Sequence, residues 1–349
     1  MKKVNRNDIA RLAGVSPATV SNVLNNKRVS SKLRKRVLDV VQELNYTPNL
    51  VARSLVTKSS KHIELIIPDI INPNYSSLAQ GMQHQAHKNG YLLSISIMKS
   101  GENSNLERII DYCIGRNVDA AVFVFCYDLL SDSQKGRLLD HDIILVDITH
   151  LYPQPAIKPH ISVEPGYYEG MKKAFEHLVD LGHKKIAYIT GGDGRQKKGV
   201  YIKSRDQAFK ECYEKYFSFY DERYLIVNTS LSNYNTVGYR AGEAFVSSSI
   251  DFTAAIVASD SLVFGFIRAL HDAGKTVPDD VSVVSFGDTP IAQVSIPTLT
   301  SVPTPDVEIG ETVVRHIIEY MEKDSGKETR MKLQFPVSII PRESTKRID

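Results

Sequence analysis

The feature that most constrains the fold is a regular alternation of short apolar runs and amphipathic stretches that begins at His62. The apolar runs form a first series, IELIIP, YLLSISI, DAAVFVF and IILVDI, and a second series, HISV, KKIAYIT, YLIVN, TAAIVA and VSVVSF. Runs of this length predict buried strands, and the stretches between them carry apolar residues at helical spacing. Strands that alternate with helices form parallel sheets, so the two series predict two α/β lobes.

The same alternation predicts the positions of the helices. They are expected near residues 76–89, 104–116, 133–140, 166–181, 203–215, 235–248, 260–273 and 306–323, with a last strand near 331–340. A length of 349 residues already indicates more than one domain. We therefore predict an all-α head over residues 1–47, a linker helix over 48–60 and a two-lobed α/β body over 61–349.

Charge is distributed unevenly along the chain. Residues 1–61 contain 13 Lys and Arg but only 3 Asp and Glu, whereas the remainder contains 30 and 37. The net charge of the whole chain is only +3, so the imbalance lies in the distribution. A small basic head on a mildly acidic body predicts that the head binds a polyanion.

The head has the apolar pattern of three short helices. Ile9, Leu12 and Ala13 recur at helical spacing, Gly14 ends that helix, and Ser16 provides an N-cap for the next one. Val20, Val23 and Leu24 give the second helix a buried face, and a third helix that starts near SSK buries Leu33, Val37, Val40, Val41 and Leu44. Two helices joined by a short turn, with a third in support, predict a helix-turn-helix DNA-binding domain.

The exposed face of the second helix carries side chains suited to DNA. Thr19 and Ser21 can donate hydrogen bonds to phosphates, which positions the head without reading sequence. Pro17 and Ala18 have only apolar contacts to offer, such as contact with a thymine methyl group. Asn22 can pair with adenine through two hydrogen bonds. This helix is therefore the predicted reading helix.

The segment PNLVARSL, residues 48–55, predicts a helix of about two turns. A helix this short is unstable alone in water. Val51, Ala52 and Leu55 fall on one side of it, between polar and basic flanks. We expect this linker helix to become stable only when another molecule covers its apolar side.

The stretch NDIARLAGVSPATVSNVLNNKRVSSKLRKRVLDVVQELNYTPNLVARSL resembles the DNA-binding head of the LacI/GalR family of bacterial transcriptional regulators. The resemblance implies that Pro17, Ala18 and Asn22 select operator bases, and that Asn22 replaces a common arginine that reads guanine. It also implies that Val51 meets its twin across a dimer, while Leu55 wedges into the minor groove. The predicted DNA-contacting residues are Asn7, Ser16, Pro17, Ala18, Thr19, Ser21, Asn22, Asn25, Arg28, Ser30, Tyr46, Asn49, Ala52 and Leu55.

The resemblance further implies a body similar to periplasmic binding proteins. In that family the chain crosses three times between the lobes, and a small-molecule effector binds in the cleft between them. We therefore predict an N-lobe of residues 61–160 and 291–323 and a C-lobe of residues 161–290 and 324–342. An effector that changes the lobe angle is expected to change the spacing of the two heads on a near-palindromic operator.

The expected effector contacts lie where strands end, because ligands of open parallel sheets bind beyond the carboxyl ends of the strands. The predicted contacts are Asn74, Tyr75, Asp147, Arg195, Arg205, Ser259 and Gly287. Asp260 and Asp288 are also candidates, and capping a helix or a turn explains either of them equally well.

Two departures from the family pattern concern the effector. In the family motif GFDD, the strand ends with an aspartate that accepts hydrogen bonds from effector hydroxyls. This chain reads SFGD, with Gly287 in the place of that aspartate. The family motif VDN is replaced by VEP, residues 163–165. Loss of that carboxylate disfavours a neutral sugar. Arg195, Lys197 and Lys198 lie together on a loop, which favours an anionic effector such as a sugar phosphate.

Other classes of protein fit the sequence poorly. We find no apolar run of eighteen residues and no signal-peptide core, and three cysteines without metal-type spacing favour a reduced cytoplasm. No metal site, cofactor or enzymatic activity is predicted. A solute-binding module would have a signal peptide and no basic head. We expect a homodimeric, DNA-binding repressor; activation, or control by a partner protein, is the alternative within the same class.

Overall fold

The computed structural model of the chain describes residues 5–24, 28–46, 59–98, 103–148, 156–191, 203–228, 234–322 and 330–348. The chain forms two compact units, Met1–Ser60 and Lys61–Asp349. Among the helices within the described ranges, none has both the length and the apolar character that a membrane crossing requires.

The first unit contains the three predicted helices of a helix-turn-helix domain. They are α1 (Arg6–Ala13), α2 (Pro17–Leu24) and α3 (Ser31–Glu43). At the start of α1, the Asn5 side chain accepts hydrogen bonds from backbone N–H groups, and the Asp8 carboxylate accepts one from the Asn5 N–H. Gly14 ends α1 at a φ of 59°, a left-handed conformation that glycine adopts without strain. Ser16 then caps α2 by accepting the Thr19 N–H at 3.1 Å.

The core of the head is small and lies between the three helices. Its fully buried side chains are Ile9, Ala10, Ala13, Val20, Val23 and Val37. Grouping Leu12 with Ile9 and Ala13 was wrong, because 55% of Leu12 is exposed. Each residue turns a helix by about 100°, and the buried stripe runs from Ile9 through Ala13 to Ala10, which leaves Leu12 beyond its edge.

The second unit alternates strands and helices along the chain, except at two places where one strand follows another with no helix among the described residues between them. In chain order it contains β1 (His62–Ile67), α4 (Pro73–Lys88), β2 (Leu92–Ile97), α5 (Asn103–Gly115), β3 (Ala120–Val124), α6 (Asp132–Asp140), β4 (Ile144–Ile148), β5 (Ile161–Glu164), α7 (Tyr167–Asp180), β6 (Ile186–Gly191), α8 (Lys203–Phe217), β7 (Leu225–Asn228), α9 (Tyr234–Val246), β8 (Ala254–Val257), α10 (Asp260–Asp272), β9 (Ser282–Gly287), β10 (Thr300–Pro303), α11 (Asp306–Glu322) and β11 (Met331–Gln334). The strand β10 was not predicted, and β11 is shorter than predicted.

Two parallel sheets organise this unit into two lobes. The first sheet has the strand order β11–β5–β4–β3–β1–β2, and the second has the order β10–β9–β8–β6–β7. The predicted division between the lobes was wrong for three strands. β5 and β11 pair in the first sheet rather than in the second lobe, and β10 pairs with β9 in the second sheet rather than in the first lobe. The chain therefore crosses between the lobes after β5, after β10 and after β11, because α11 packs in the first lobe and the segment that follows β11 packs on the second.

Side chains on both faces of each sheet are buried, as expected for parallel strands covered by helices. In the first lobe, Ile63 and Leu65 point to the face covered by α4 and α11, whereas Ile66 and Phe123 point to the opposite face. In the second lobe a cluster of rings, centred on Phe175, packs between the sheet and α8. The apolar alternation seen in the sequence follows from this burial.

Glycine residues bring two pairs of helices into unusually close contact, one pair in each lobe. In the first lobe, a Cβ atom at Gly81 of α4 would lie 2.0 Å from the Val307 carbonyl oxygen of α11. In the second lobe, a Cβ atom at Gly265 of α10 would lie 2.0 Å from the Asn235 carbonyl oxygen of α9. Real Cβ atoms do not approach carbonyl oxygens so closely, so these backbones touch where only glycine fits.

We predict that Gly81→Ala destabilises the protein. The new methyl group forces α4 and α11 apart, and overpacking of this kind costs roughly 1–3 kcal/mol. Thermal unfolding followed by circular dichroism measures the effect. The matched control is Gly136→Ala in α6, where no atom lies within 4 Å of the added Cβ. This control is expected to gain roughly 0.5–1 kcal/mol, because alanine stabilises a helix interior. Equal effects of the two changes would contradict the close contact.

Candidate functional site

In the head, α2 presents the predicted reading face. Pro17 and Ala18 are exposed, and Thr19, Ser21 and Asn22 are partly exposed. The buried residues of α2 lie on its other side, so this face is available for a groove. The Ser16 and Thr19 hydroxyl oxygens lie 2.9 Å apart, and Ser16 is itself exposed at the start of the helix.

The other predicted DNA contacts differ in their surroundings. Asn7, Arg28 and Ser30 are exposed, whereas Tyr46 is partly buried and packs against the core of the head. Five predicted residues lie outside the described residues: Asn25, Asn49, Val51, Ala52 and Leu55.

In the body, aromatic side chains bridge the two lobes. Phe125 follows β3 directly at a φ of 55°. Its ring stacks on Tyr167, which begins α7, with a centroid distance of 5.8 Å and an interplanar angle of 22°. Tyr75 in the first turn of α4 lies 6.1 Å from the same Phe125 ring. Because Tyr75 and Phe125 belong to the first lobe and Tyr167 to the second, this stack spans the cleft.

Arg205 continues the stack into the second lobe. Its guanidinium lies 4.2 Å from the centroid of Tyr167 and 4.9 Å from that of Phe286, so it is held between two rings. The Nη1 group donates a hydrogen bond of 2.7 Å to the Ala258 carbonyl oxygen, at the end of β8. The predicted effector contact Arg205 is therefore at the cleft, where its guanidinium is attracted to two aromatic faces that cover it.

A buried carboxylate organises the turn that follows β9. Asp260, at the start of α10, is 1% exposed. Its Oδ1 accepts a hydrogen bond from the Ser285 hydroxyl at 2.5 Å, and its Oδ2 accepts the Thr289 N–H and hydroxyl, each at 2.7 Å. Burial raises the pKa of Asp260, and these hydrogen bonds oppose the rise. Asp260 therefore serves to hold the turn, one of the two roles that the sequence left open.

Gly287 lies inside that turn and faces the first lobe. Its φ is 136°, and a Cβ atom there would lie 2.9 Å from the Asp260 Oδ2 and 3.3 Å from the Asn74 Oδ1. The turn thus leaves no room for a side chain at the position where the sequence comparison expects an aspartate. The adjacent Asp288 forms an ion pair of 2.6 Å with Arg342.

A second carboxylate reaches the same place from α11. The Thr304 hydroxyl donates to the Asp306 Oδ2 at 2.8 Å and accepts a hydrogen bond from the Asn74 amide nitrogen at 2.9 Å. Burial raises the pKa of Asp306 to about 7, the hydrogen bonds from Thr304 and Asn74 lower it, and the charge of Asp260 raises it. The Asn74 Oδ1 is buried and has no hydrogen-bond partner within the described structure.

The remaining predicted effector residues lie in different settings. Ser259 precedes α10, and its side chain makes no capping hydrogen bond there. Asp147 is 2% exposed and belongs to the face of the first sheet that α5 and α6 cover, where its charge acts on Tyr127 and Lys135. Arg195 lies outside the described residues, as do Lys197 and Lys198.

Sequence reasoning missed five residues of the cleft. They are Phe125, Tyr167, Phe286, Thr304 and Asp306. Phe125 and Phe286 end apolar runs, and Tyr167 begins a helix, so the rule that ligands lie beyond strand ends had the means to find them. Thr304 and Asp306 follow β10, whose sequence TSVP reads as a loop because of its proline.

The groups of the cleft are suited to non-covalent contacts with a ligand. Within the parts of the chain that the structure describes, no three His, Cys, Asp or Glu side chains are grouped so as to hold a metal ion. Cys126 is buried, and its Sγ lies 3.8 Å from the Ile66 carbonyl oxygen, inside the first lobe. Among the described residues, the cleft offers aromatic faces, hydrogen-bond acceptors and the ring-covered guanidinium of Arg205.

Comparison with known proteins gives consistent results for both units. A family model described as "Bacterial regulatory proteins, lacI family" matches residues 7–49, and one for a periplasmic binding protein-like domain matches residues 175–345. Catabolite control protein A of Staphylococcus xylosus is 32% identical over 345 residues, which cover 97% of this chain and 98% of that protein. The ribose operon repressor of Halalkalibacterium halodurans is 30% identical over 347 residues, with 97% and 96% covered.

The fold is similar to that of a solved structure. A lac repressor dimer bound to operator and the anti-inducer ONPF has a TM-score of 0.81, with 24% sequence identity and coverage of 99% of this chain and 100% of that one.

We predict that Asp306→Asn stabilises the protein more as the pH rises. A carboxyl group whose pKa rises on folding destabilises the folded protein at pH values above the folded pKa. The wild type therefore loses stability as the pH rises from about 4, the unfolded pKa, through about 7. The asparagine variant lacks this loss, so its gain in stability over wild type should be roughly 1–3 kcal/mol larger at pH 8 than at pH 5. Urea unfolding at both pH values measures the difference; a gain that does not depend on pH would contradict it.

Proposed function

This chain belongs to the lacI family of bacterial regulatory proteins, so it is a DNA-binding transcriptional regulator and not an enzyme, and we propose that it represses an operon under effector control. The exposed face of α2 supports this proposal most directly. A short helix with Pro17, Ala18 and Asn22 outward, on a strongly basic head, has the shape and charge to enter a major groove. Phosphate contacts from Ser16, Thr19 and Arg28 hold it there.

We further propose that the cleft binds a small molecule related to sugars. One relative is a ribose operon repressor, and the aromatic stack of the cleft suits the apolar face of a sugar ring. Effector binding changes how the lobes meet across Phe125 and Tyr167, and this change alters operator affinity. The coupling is reciprocal, so operator and effector change each other's binding constants by the same factor.

The proposed working unit is a homodimer that meets a near-palindromic operator with two heads. The segment between β9 and β10 exposes 54% of Ile291, 76% of Val294 and 97% of Ile296. The edge strand β2 also exposes Ile95 and Ile97. Apolar surface of this kind is unfavourable in water and is typical of surfaces that meet another protein. A second copy of this chain is the proposed occupant, with Val51 meeting its twin in the linker.

The proposed location is the cytoplasm, where the operator DNA lies. Cys113, Cys126 and Cys212 are all buried and unpaired by disulfides, as is common in a reducing compartment.

We predict that Asn22→Ala weakens operator binding. Two hydrogen bonds to adenine are worth about 1–3 kcal/mol, so the affinity should fall roughly 10- to 100-fold. Selection of operators from a random DNA pool followed by fluorescence anisotropy measures both preference and affinity. Asn22→Arg should exchange a preference for adenine for one for guanine. Gln42→Ala, which removes an exposed amide from α3, is the control and should bind like wild type. Unchanged base preference in both Asn22 variants would contradict the proposed reading role.

We predict that Ile296→Asp weakens dimer formation. Burying a new carboxylate against the partner's apolar surface is unfavourable, so the dimer dissociation constant should rise by about 10-fold or more. Sedimentation equilibrium measures this constant, and operator affinity should fall with it. The matched control, Phe219→Asp, changes a half-exposed apolar residue elsewhere in the second lobe and should leave the dimer intact. A dimer unaffected by Ile296→Asp would place the interface on another surface.

A further inference from the structure

We propose that Asp306 is the carboxylate that recognises the hydroxyl groups of the effector in this chain, and that the cleft therefore selects a neutral polyhydroxylated ring over its phosphate ester. The inference rests on the proposed effector function and adds a specificity-determining residue to it. Four elements converge at this position, namely the starts of α4, α10 and α11 and the turn after β9.

The position of Asp306 follows from its contacts. Its Oδ2 accepts a hydrogen bond from the Thr304 hydroxyl, and that hydroxyl accepts one from the Asn74 amide nitrogen. This chain of hydrogen bonds connects α11 to α4. Asn74 Oδ1 comes within 3.3 Å of the Cβ position of Gly287. Asp306 therefore lies close to the space left by the absent side chain at Gly287, and it approaches that space from a different element.

The acceptors near Gly287 are not equally available to a ligand. Asp260 already accepts three hydrogen bonds from Ser285 and Thr289, which leaves it little capacity. The Asn74 Oδ1 is buried and accepts no hydrogen bond within the described residues. Asp306 and Asn74 together thus offer oxygens that a bound molecule can satisfy by donating hydrogen bonds. Buried acceptors that stay unsatisfied are unfavourable, so a ligand that supplies donors gains affinity.

The charge near this position disfavours an anion. Asp260 and Asp306 are close enough that the charge of Asp260 raises the pKa of Asp306. Arg205, a cation at the cleft, is covered by Tyr167 and Phe286 and donates to a backbone carbonyl, and Arg342 is paired with Asp288. A phosphate group would meet two carboxylates there, whereas sugar hydroxyls would donate to Asp306 while the ring packs on the aromatic stack. The sequence-based hypothesis of an anionic effector depended on Arg195, Lys197 and Lys198, which lie outside the described residues.

Binding of such a ring should depend on pH. A hydroxyl donates best to an ionised carboxylate, and the groups that face Asp306 are Asp260 of α10, Tyr167 of α7 and Asn74 of α4, with Arg205 of α8 behind Tyr167. Because burial holds the pKa of Asp306 near 7, affinity for a free sugar should increase from pH 6 to pH 8. A purely structural role of Asp306 would not produce this dependence.

The test is isothermal titration calorimetry of the full chain with D-ribose, D-glucose, ribose 5-phosphate and glucose 6-phosphate, at pH 6 and pH 8. Wild type should bind one of the free sugars more tightly than its phosphate and should bind it more tightly at pH 8. Asp306→Asn should weaken that binding about 10- to 100-fold, as expected for loss of a hydrogen bond to a charged group, and should remove the pH dependence. Glu308→Gln is the matched control, since it removes an exposed carboxylate from the same first turn of α11 and should change neither.

Several results would overturn the inference. They are tighter binding of a sugar phosphate by wild type, wild-type affinity in Asp306→Asn, an equal loss in Glu308→Gln, or no binding of any of the four probes. Thermal unfolding of both variants checks that they are folded. Operator binding of the wild type, measured on the same preparation, tests the proposed function separately. If the wild type does not bind operator DNA, the proposed function is contradicted, whichever sugars bind.

Discussion

The arrangement of the cleft depends on the burial of one carboxylate, Asp260. An ionised carboxylate is unfavourable away from water unless donors surround it, and here Ser285 and Thr289 provide them from the strand and the turn of β9. The turn that results is so tight around Asp260 that Gly287 has no room for a side chain. The same charge raises the pKa of Asp306. The Asp260 carboxylate thereby holds the turn after β9, excludes a side chain at position 287 and raises the pKa of Asp306.

The aromatic stack between the lobes has a different physical origin. Phe125, Tyr167 and Arg205 attract one another through ring faces, which is effective where water is excluded. Each contact of this kind contributes modestly to stability, and the rings can change partners without leaving a polar group unsatisfied. The polar chain from Asn74 to Asp306 is more demanding, since each of its groups needs a partner of defined geometry. The cleft therefore combines an adaptable surface with a selective one.

Much of the fold could be predicted from the sequence, because burial in a parallel sheet imposes a pattern that each strand and helix carries locally. The head illustrates this, since Gly14 and Ser16 fix the turn with their own chemistry. Membership of a lobe is different. β5 and β11 pair across more than 160 residues of chain, and nothing in either strand encodes that partner. β10 escaped notice because it is short and ends in a proline.

The candidate site was predictable to a similar degree. Asn74, Arg205 and Gly287 were found because they follow strands or open helices, which is a local property. Asp306 was missed because its role comes from three neighbours, Asn74, Thr304 and Asp260, of which two lie far away in sequence. The reason for the glycine at position 287 was equally hidden, since it lies in the Asp260 carboxylate and not in the turn sequence itself.

The glycine contacts between α4 and α11 and between α9 and α10 have a mechanical consequence. Helices whose backbones touch cannot slide or tilt without breaking many contacts at once, because packed interiors resist compression. Each lobe should therefore rotate as a stiff lever about the three crossing segments, with almost no energy absorbed by bending. In a rigid-body rotation, a small displacement of atoms beside the cleft becomes larger in proportion to the distance from the rotation axis. The close helix contacts at Gly81 and Gly265 would thus help to transmit a ligand-induced displacement to the far surface of each lobe.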